Sequence, residues 1–179
     1  MALCDTMLRL AERDLYSPRW SAEIIEEARR NLVADGRCTE AAAANRFRVI
    51  GEHFEECTVH GYEELTASLR CHQKDRHVLA AAIRGGAEQI VTQNLRDFPP
   101  DSVEPFAIEV VSPDDFLLNI ADLYPDVTLD AIRRQAAALQ RPPMTIDDVL
   151  RALSMTVPGF AAHIAAMIAA VGAEPDARN

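Results

Sequence analysis

Apolar positions recur at helical spacing along most of the chain and at strand spacing in three short places. Leu3, Met7, Leu8, Leu10 and Ala11 form a helical stripe in LCDTMLRLAERDL, which YSPRW ends at Pro18. Ser21 reads as the N-cap of AEIIEEARRNLVAD, with Glu23 in the first turn, Arg29 and Arg30 later, and Gly36 as its stop. Thr39 caps EAAAANRFRVIGEHF in the same way, with Ala43, Phe47 and Ile50 on one face. CTVHGYEELTASL predicts a short strand and then a helix from near Gly61. Residues 75–84 predict a helix that buries Val78, Leu79, Ala82 and Ile83, with Gly85 and Gly86 ending it. EQIVT and AIEVV predict strands on either side of the loop QNLRDFPPDSVEPF, and Ser112 with Pro113 opens the next helix.

Helix and strand alternate from Phe54 to Leu123, and the strands stand too far apart in sequence for hairpins. That order predicts an α/β fold, with parallel strands joined by crossover helices. From Tyr124 the pattern is helical only, with helices expected over 126–140, 145–155 and 158–171 and a flexible tail over 173–179. GFAAHIAAMIAAVG is the most apolar run, but it falls short of the ~20 residues that span a bilayer, and His163 interrupts it. A packed helix and no membrane association are expected.

Composition is that of a globular chain: 49% of residues are hydrophobic and 26% charged. The net charge of −10 argues against a plain nucleic-acid binder, because phosphate affinity comes from Lys and Arg. It leaves room for a nuclease in which metal ions bridge acids to phosphate. Cys4, Cys38, Cys57 and Cys71 form no CxxC pair, so reduced thiols in a cytoplasmic protein are expected.

Ligands gather at the carboxyl ends of parallel strands, beside the starts of the following helices. Asp75 falls at such a helix start and Asp97 follows the strand 88–92, which predicts both acids on one sheet edge. In the helix 22–35, Glu26 has Arg30 four residues on and reads as a solvated pair, whereas Glu27 lies unpaired at the margin of the apolar stripe. Carboxylates converging there suit Mg²⁺ or Mn²⁺ and metal-assisted hydrolysis. Taken singly, Asp75 also reads as a simple N-cap, Asp97 as a turn former and Glu27 as a solvated helix residue.

KDRHVLAAAIRGGAEQIVTQNLRDFP, residues 74–99, resembles the core of the PIN-domain ribonucleases, in the branch that includes VapC toxins. PRWSAEIIEEARRNL and SPDDFLLNI resemble the early and closing helices of that branch, and the helical segment after Tyr124 resembles an extension that some members carry. The resemblance implies a PIN-like, flavodoxin-like domain over 1–123 with a helical extension over 124–172. It implies an endoribonuclease toxin that uses Mg²⁺ or Mn²⁺ and a VapB-like antitoxin as partner, with a homodimer possible. By position, Glu27, Asp75 and Asp97 match the catalytic and metal-binding acids, and Thr92 and Asn94 line the same loop. Arg76, His77 and Arg96 are the neighbours placed to meet RNA phosphate. Two departures stand out. The family opens on a strand bearing its first acid, whereas MALCDTMLRLAERDL aligns with the helix after that strand; His72-Gln73 stands where the family often has Asp-Pro. The alternative expectation is an inactive PIN-fold module that binds an antitoxin or self-associates.

Weaker patterns add little. His53, Cys57, His60, Cys71 and His72 suggest zinc without the paired spacing of a zinc site. Arg133, Arg134 and Arg141 could meet RNA, though a solvated face accounts for them as well.

Overall fold

A computed structural model describes residues 2–140 and 142–173; the expected tail from 174 onward and Arg141 lie outside the described residues. The helices run α1 (Ala2–Ala11), α2 (Ala22–Ala34), α3 (Glu40–His53), α4 (Arg76–Arg84) and α5 (Pro100–Val103). They continue with α6 (Pro113–Leu123), α7 (Pro125–Ala138), α8 (Ile146–Ser154) and α9 (Pro158–Ala173), and the strands are β1 (Gln89–Val91) and β2 (Glu109–Val111). The chain divides into two compact units, Pro18–Val111 and Met1–Ser17 with Ser112–Asn179.

In the unit Pro18–Val111 the caps fall where the sequence puts them. Ser21 accepts from the Ile24 N–H and Thr39 from the Ala42 N–H. The fold is α/β, mostly helical, around a sheet of two parallel strands with Ile90 opposite Val110. The Glu109 N–H donates to the Glu88 carbonyl (2.9 Å) and the Thr92 N–H to the Val111 carbonyl (3.0 Å), so the ladder extends one residue beyond each end. Leu79, Ala80, Ala81 and Ala82 of α4 pack with Ile90, Phe98, Val103 and Ile108 to form the core. Val78 and Ile83, expected on the buried side of α4, pack partly buried against this core.

The predicted strand CTVHG is a single parallel bridge, Trp20 to Thr58. A 3₁₀ turn still holds Glu55–Cys57, and Gly61 turns away at φ +69°, leaving too few extended residues for a strand. The helix expected from Gly61 is a 3₁₀ segment, Glu63–Ser68. There the Thr66 and Ser68 hydroxyls donate to carbonyls three residues back (2.6 and 2.8 Å), an alternative to α-helical bonding.

The other unit is helical. Leu10, Leu117, Ile132, Leu153, Phe160 and Ile164 are fully buried in it. Ser112 caps α6, and Thr145 with Asp148 forms a reciprocal capping box on α8. The start of α9 is capped from a distance: Asp114 accepts from the Gly159 and Phe160 N–H groups at 2.9 and 2.8 Å. Arg134 is paired with Asp130 at 2.8 Å, which favours the solvated-face reading of that helix. Among the described residues no helix is long and apolar enough to cross a membrane.

Arg13, with Arg134 beside it, holds the Asp130 carboxyl below its ordinary value of 3.8. Hydrogen bonds from the Thr145 N–H and hydroxyl do the same for Asp148. A depressed carboxylate contributes stability that is present above about pH 4 and lost as pH falls through the lower folded value. Melting temperature should therefore fall as pH drops below about 4, and by less in Asp130→Asn and Asp148→Asn. Circular dichroism melts between pH 2 and 7 would show it. Within the sheet unit, a Cβ on Gly85 would lie 2.8 Å from Val59 Cγ2 and 3.0 Å from the Ala81 carbonyl. Gly85→Ala should destabilise by about 1–3 kcal/mol in urea unfolding, the usual cost of overpacking.

Candidate metal centre

Two loops of the unit Pro18–Val111 build the site. The first runs through the 3₁₀ turn Gln73–Asp75 into α4. Asp75 occupies the N-cap position of α4 (φ −103°, ψ 2°), yet its side chain makes no capping hydrogen bond. Its Oδ2 lies 3.1 Å from His72 Nδ1 instead. A 3₁₀ turn eclipses side chains three residues apart, which is why these two meet. The bare capping explanation of Asp75 therefore fails, and its carboxylate faces another partner.

The second loop leaves β1. The Thr92 hydroxyl accepts from the Asn94 N–H (3.0 Å), and the Asn94 carbonyl accepts from the Asp97 N–H (3.1 Å). Thr92 and Asn94 thus shape the loop that carries Asp97. The His72 N–H donates to the Asp97 carbonyl at 3.1 Å and joins the two loops. On either side, Cys71 and Phe98 are both buried in the core, so each loop is anchored one residue from its ligating group. One ligand atom each from His72, Asp75 and Asp97 lies within 4.8 Å of the other two.

Asp75 and Asp97 come together as the sequence implies, and Glu27 stands apart from them. Its Oε2 is 3.4 Å from His77 Nε2, at the edge of ion-pair range. Glu26, expected to pair with Arg30, is held by Arg29 instead, through contacts of 2.6 and 2.8 Å that lower its carboxyl pKa. Arg29 also reaches Glu40 of α3. Arg96 is exposed. Arg76 and His77 line a cleft of about 400 Å³ with Glu23, Thr66, Gln73 and Lys74. The Nε of Arg76 and the Nε2 of His77 are buried without a hydrogen-bond partner.

The donor set fits a divalent ion. Ligands about 2.1 Å from one ion lie about 3 Å apart when adjacent and about 4.2 Å apart when opposite. His72 and Asp75 already meet the first spacing, and Asp97 offers an oxygen within 4.8 Å of both. The cysteine–histidine zinc pattern does not assemble among the described residues. Burial raises the Cys57 and Cys71 thiols, and the charge of Asp75 adds to the effect at Cys71, so both stay protonated at neutral pH. His72, which the sequence offered only within the cysteine–histidine zinc pattern, stands with the two acids instead. Its signal was the three-residue spacing to Asp75 at a helix start.

Residues 113–166 match the family model of the VapC50 C-terminal domain, a stretch that covers α6 to α8 and most of α9. Over that stretch the chain is similar to the C-terminal domain of VapC50. It is 49% identical over 102 residues to the protein named "Putative ribonuclease VapC50" of Mycobacterium tuberculosis, an alignment that takes in 57% of this chain. The chain spans about 60% of that relative's length. No solved structure matches it.

All four cysteines are free thiols. Disulfide-exchange reagents at pH 8 should modify exposed Cys4 first and partly exposed Cys38 next. Cys57 and Cys71 should react only on unfolding. Mass spectrometry of a labelling time course checks this, and early modification of Cys71 would show that the loop beside the site opens readily.

Proposed function

We propose that the protein is a metal-dependent endoribonuclease toxin of VapC type, built on a PIN-like, flavodoxin-like frame. The observation that carries this is the convergence of Asp75 and Asp97 from two loops at the mouth of a small parallel sheet. The name of the mycobacterial relative supports ribonuclease chemistry. By descent we assign residues 1–123 to the PIN-like portion and 124–172 to its helical extension. By packing, α6 has joined the extension.

In this reading Asp75 and Asp97, with His72, hold Mg²⁺ or Mn²⁺. The bound ion supplies Lewis acidity toward phosphate and a water acidified for attack. Thr92 and Asn94 keep the Asp97 loop in register. Glu27 completes the acidic set from the His77 side. Arg76 and His77, whose buried nitrogens lack hydrogen-bond partners, receive a backbone phosphate in the cleft, and exposed Arg96 meets the strand outside it. A VapB-like antitoxin is the proposed protein partner, and a homodimer the proposed assembly.

Incubation of total RNA with the purified chain, with Mn²⁺ or with EDTA, tests the reading. Cleavage should require metal and fall about 100-fold or more in Asp75→Asn and in Asp97→Asn. Folded protein that leaves RNA intact with every divalent ion would support the alternative, an inactive PIN-fold module that binds an antitoxin or self-associates.

A further inference from the structure

The centre differs from an all-acid site in one respect: its third group is an imidazole. Carboxylates, carbonyls and water suit Mg²⁺, whereas imidazole suits Co²⁺, Ni²⁺ and Zn²⁺. We infer that His72, Asp75 and Asp97 form a mixed nitrogen–oxygen site that takes a borderline transition ion in strong preference to Mg²⁺, with His72 as a ligand. The inference rests on the metal-centre reading above and specifies which ions that centre selects.

A plain surface ion pair between His72 and Asp75 is the simpler account, and three observations weigh against it. Asp75 gives up the capping bond open to it at the start of α4 and turns to His72. Asp97 arrives from a separate loop to within 4.8 Å of both, fixed there by the bond from the His72 N–H to its carbonyl. Two carboxylates that close repel each other, and a shared cation removes that cost. The third observation lies next door. Arg76 and His77 line the cleft beside Asp75, and Arg76 Nε and His77 Nε2 are buried without hydrogen-bond partners. The Lys74 ammonium and Arg76 guanidinium of that cleft suit an anion such as phosphate beside the ion. His72 is exposed, so its ring is free to present a nitrogen to an ion, and replacing it disturbs no core contact.

Isothermal titration of the full chain with Mg²⁺, Mn²⁺, Co²⁺ and Ni²⁺ separately, repeated on His72→Asp and His72→Gln, tests the inference. The unsubstituted chain should bind Co²⁺ and Ni²⁺ at least about 100-fold more tightly than Mg²⁺. In His72→Asp that ratio should shrink at least about 10-fold, with Mg²⁺ binding strengthened, and in His72→Gln transition-ion binding should weaken. Pulsed electron paramagnetic resonance of the Mn²⁺-loaded chain should show nitrogen coupling that both variants lose. An unchanged Ni²⁺/Mg²⁺ ratio in folded His72→Asp, or nitrogen coupling that survives in His72→Gln, would overturn the inference. None of these readouts uses RNA. A chain that shows the selectivity yet leaves RNA intact would therefore fail the nuclease proposal and keep this one.

Discussion

The bond from the His72 N–H to the Asp97 carbonyl, 3.1 Å long, decides whether two loops 25 residues apart in sequence meet at all. Its own net worth is only about 1 kcal/mol. What holds it is the burial of its neighbours: Cys71 is 4% exposed and Phe98 4%. Burying a phenylalanine contributes about 2–3 kcal/mol, more than the bond itself. The core therefore fixes where the two loops pass, and the hydrogen bond fixes their register. Ligating side chains one residue away from such anchors are positioned without having to be buried. His72 can stay exposed and still belong to a defined constellation.

Charge is arranged locally against the trend of the whole chain. The net charge is −10, yet the run His72-Gln-Lys74-Asp75-Arg76-His77 alternates basic groups around one acid. Near a protein surface, unit charges about 4 Å apart interact by several kcal/mol at most. Lys74 and Arg76 line the cleft beside Asp75, so fixed cations stand next to an anionic centre. An acidic protein can in this way present a phosphate-compatible site. Bulk charge alone, which argues against nucleic-acid binding, is blind to such an arrangement.

Local signals were legible in the sequence, and relations between distant residues were not. The caps at Ser21, Thr39 and Ser112 depend on a side chain and an N–H three residues on, and all three hold. Asp75 and Asp97 were readable because a helix start and a strand end place them at the same edge. CTVHG was read as a strand on composition, but a strand also needs room to stay extended, and the turns at Cys57 and Gly61 deny it that. The partner of Glu26 was misjudged because i,i+3 and i,i+4 neighbours are both within reach on a helix, and Arg29 is the one that bonds it. His72 was visible only as a departure from Asp-Pro and as part of a weak zinc pattern. Its part in the centre depends on the 3₁₀ turn that stacks it over Asp75 and on a loop arriving from elsewhere in the chain.

The helical unit makes the same point about distance. The stretch that matches the VapC50 C-terminal domain starts at Pro113, directly after the cap of α6, and runs into α9. Its first and last helices are joined by one carboxylate: Asp114, in the first turn of α6, accepts the two N–H groups that open α9. Gly159 permits the approach, because a Cβ there would lie 3.0 Å from that carboxylate and 3.2 Å from Leu118. Periodicity predicts α6 and α9 separately, but no local rule links an acid to a glycine 45 residues away. The pairing makes physical sense as a closure device. A helix N-terminus carries unsatisfied donors and partial positive charge, and an acid borrowed from another helix satisfies both while fixing where the two helices meet.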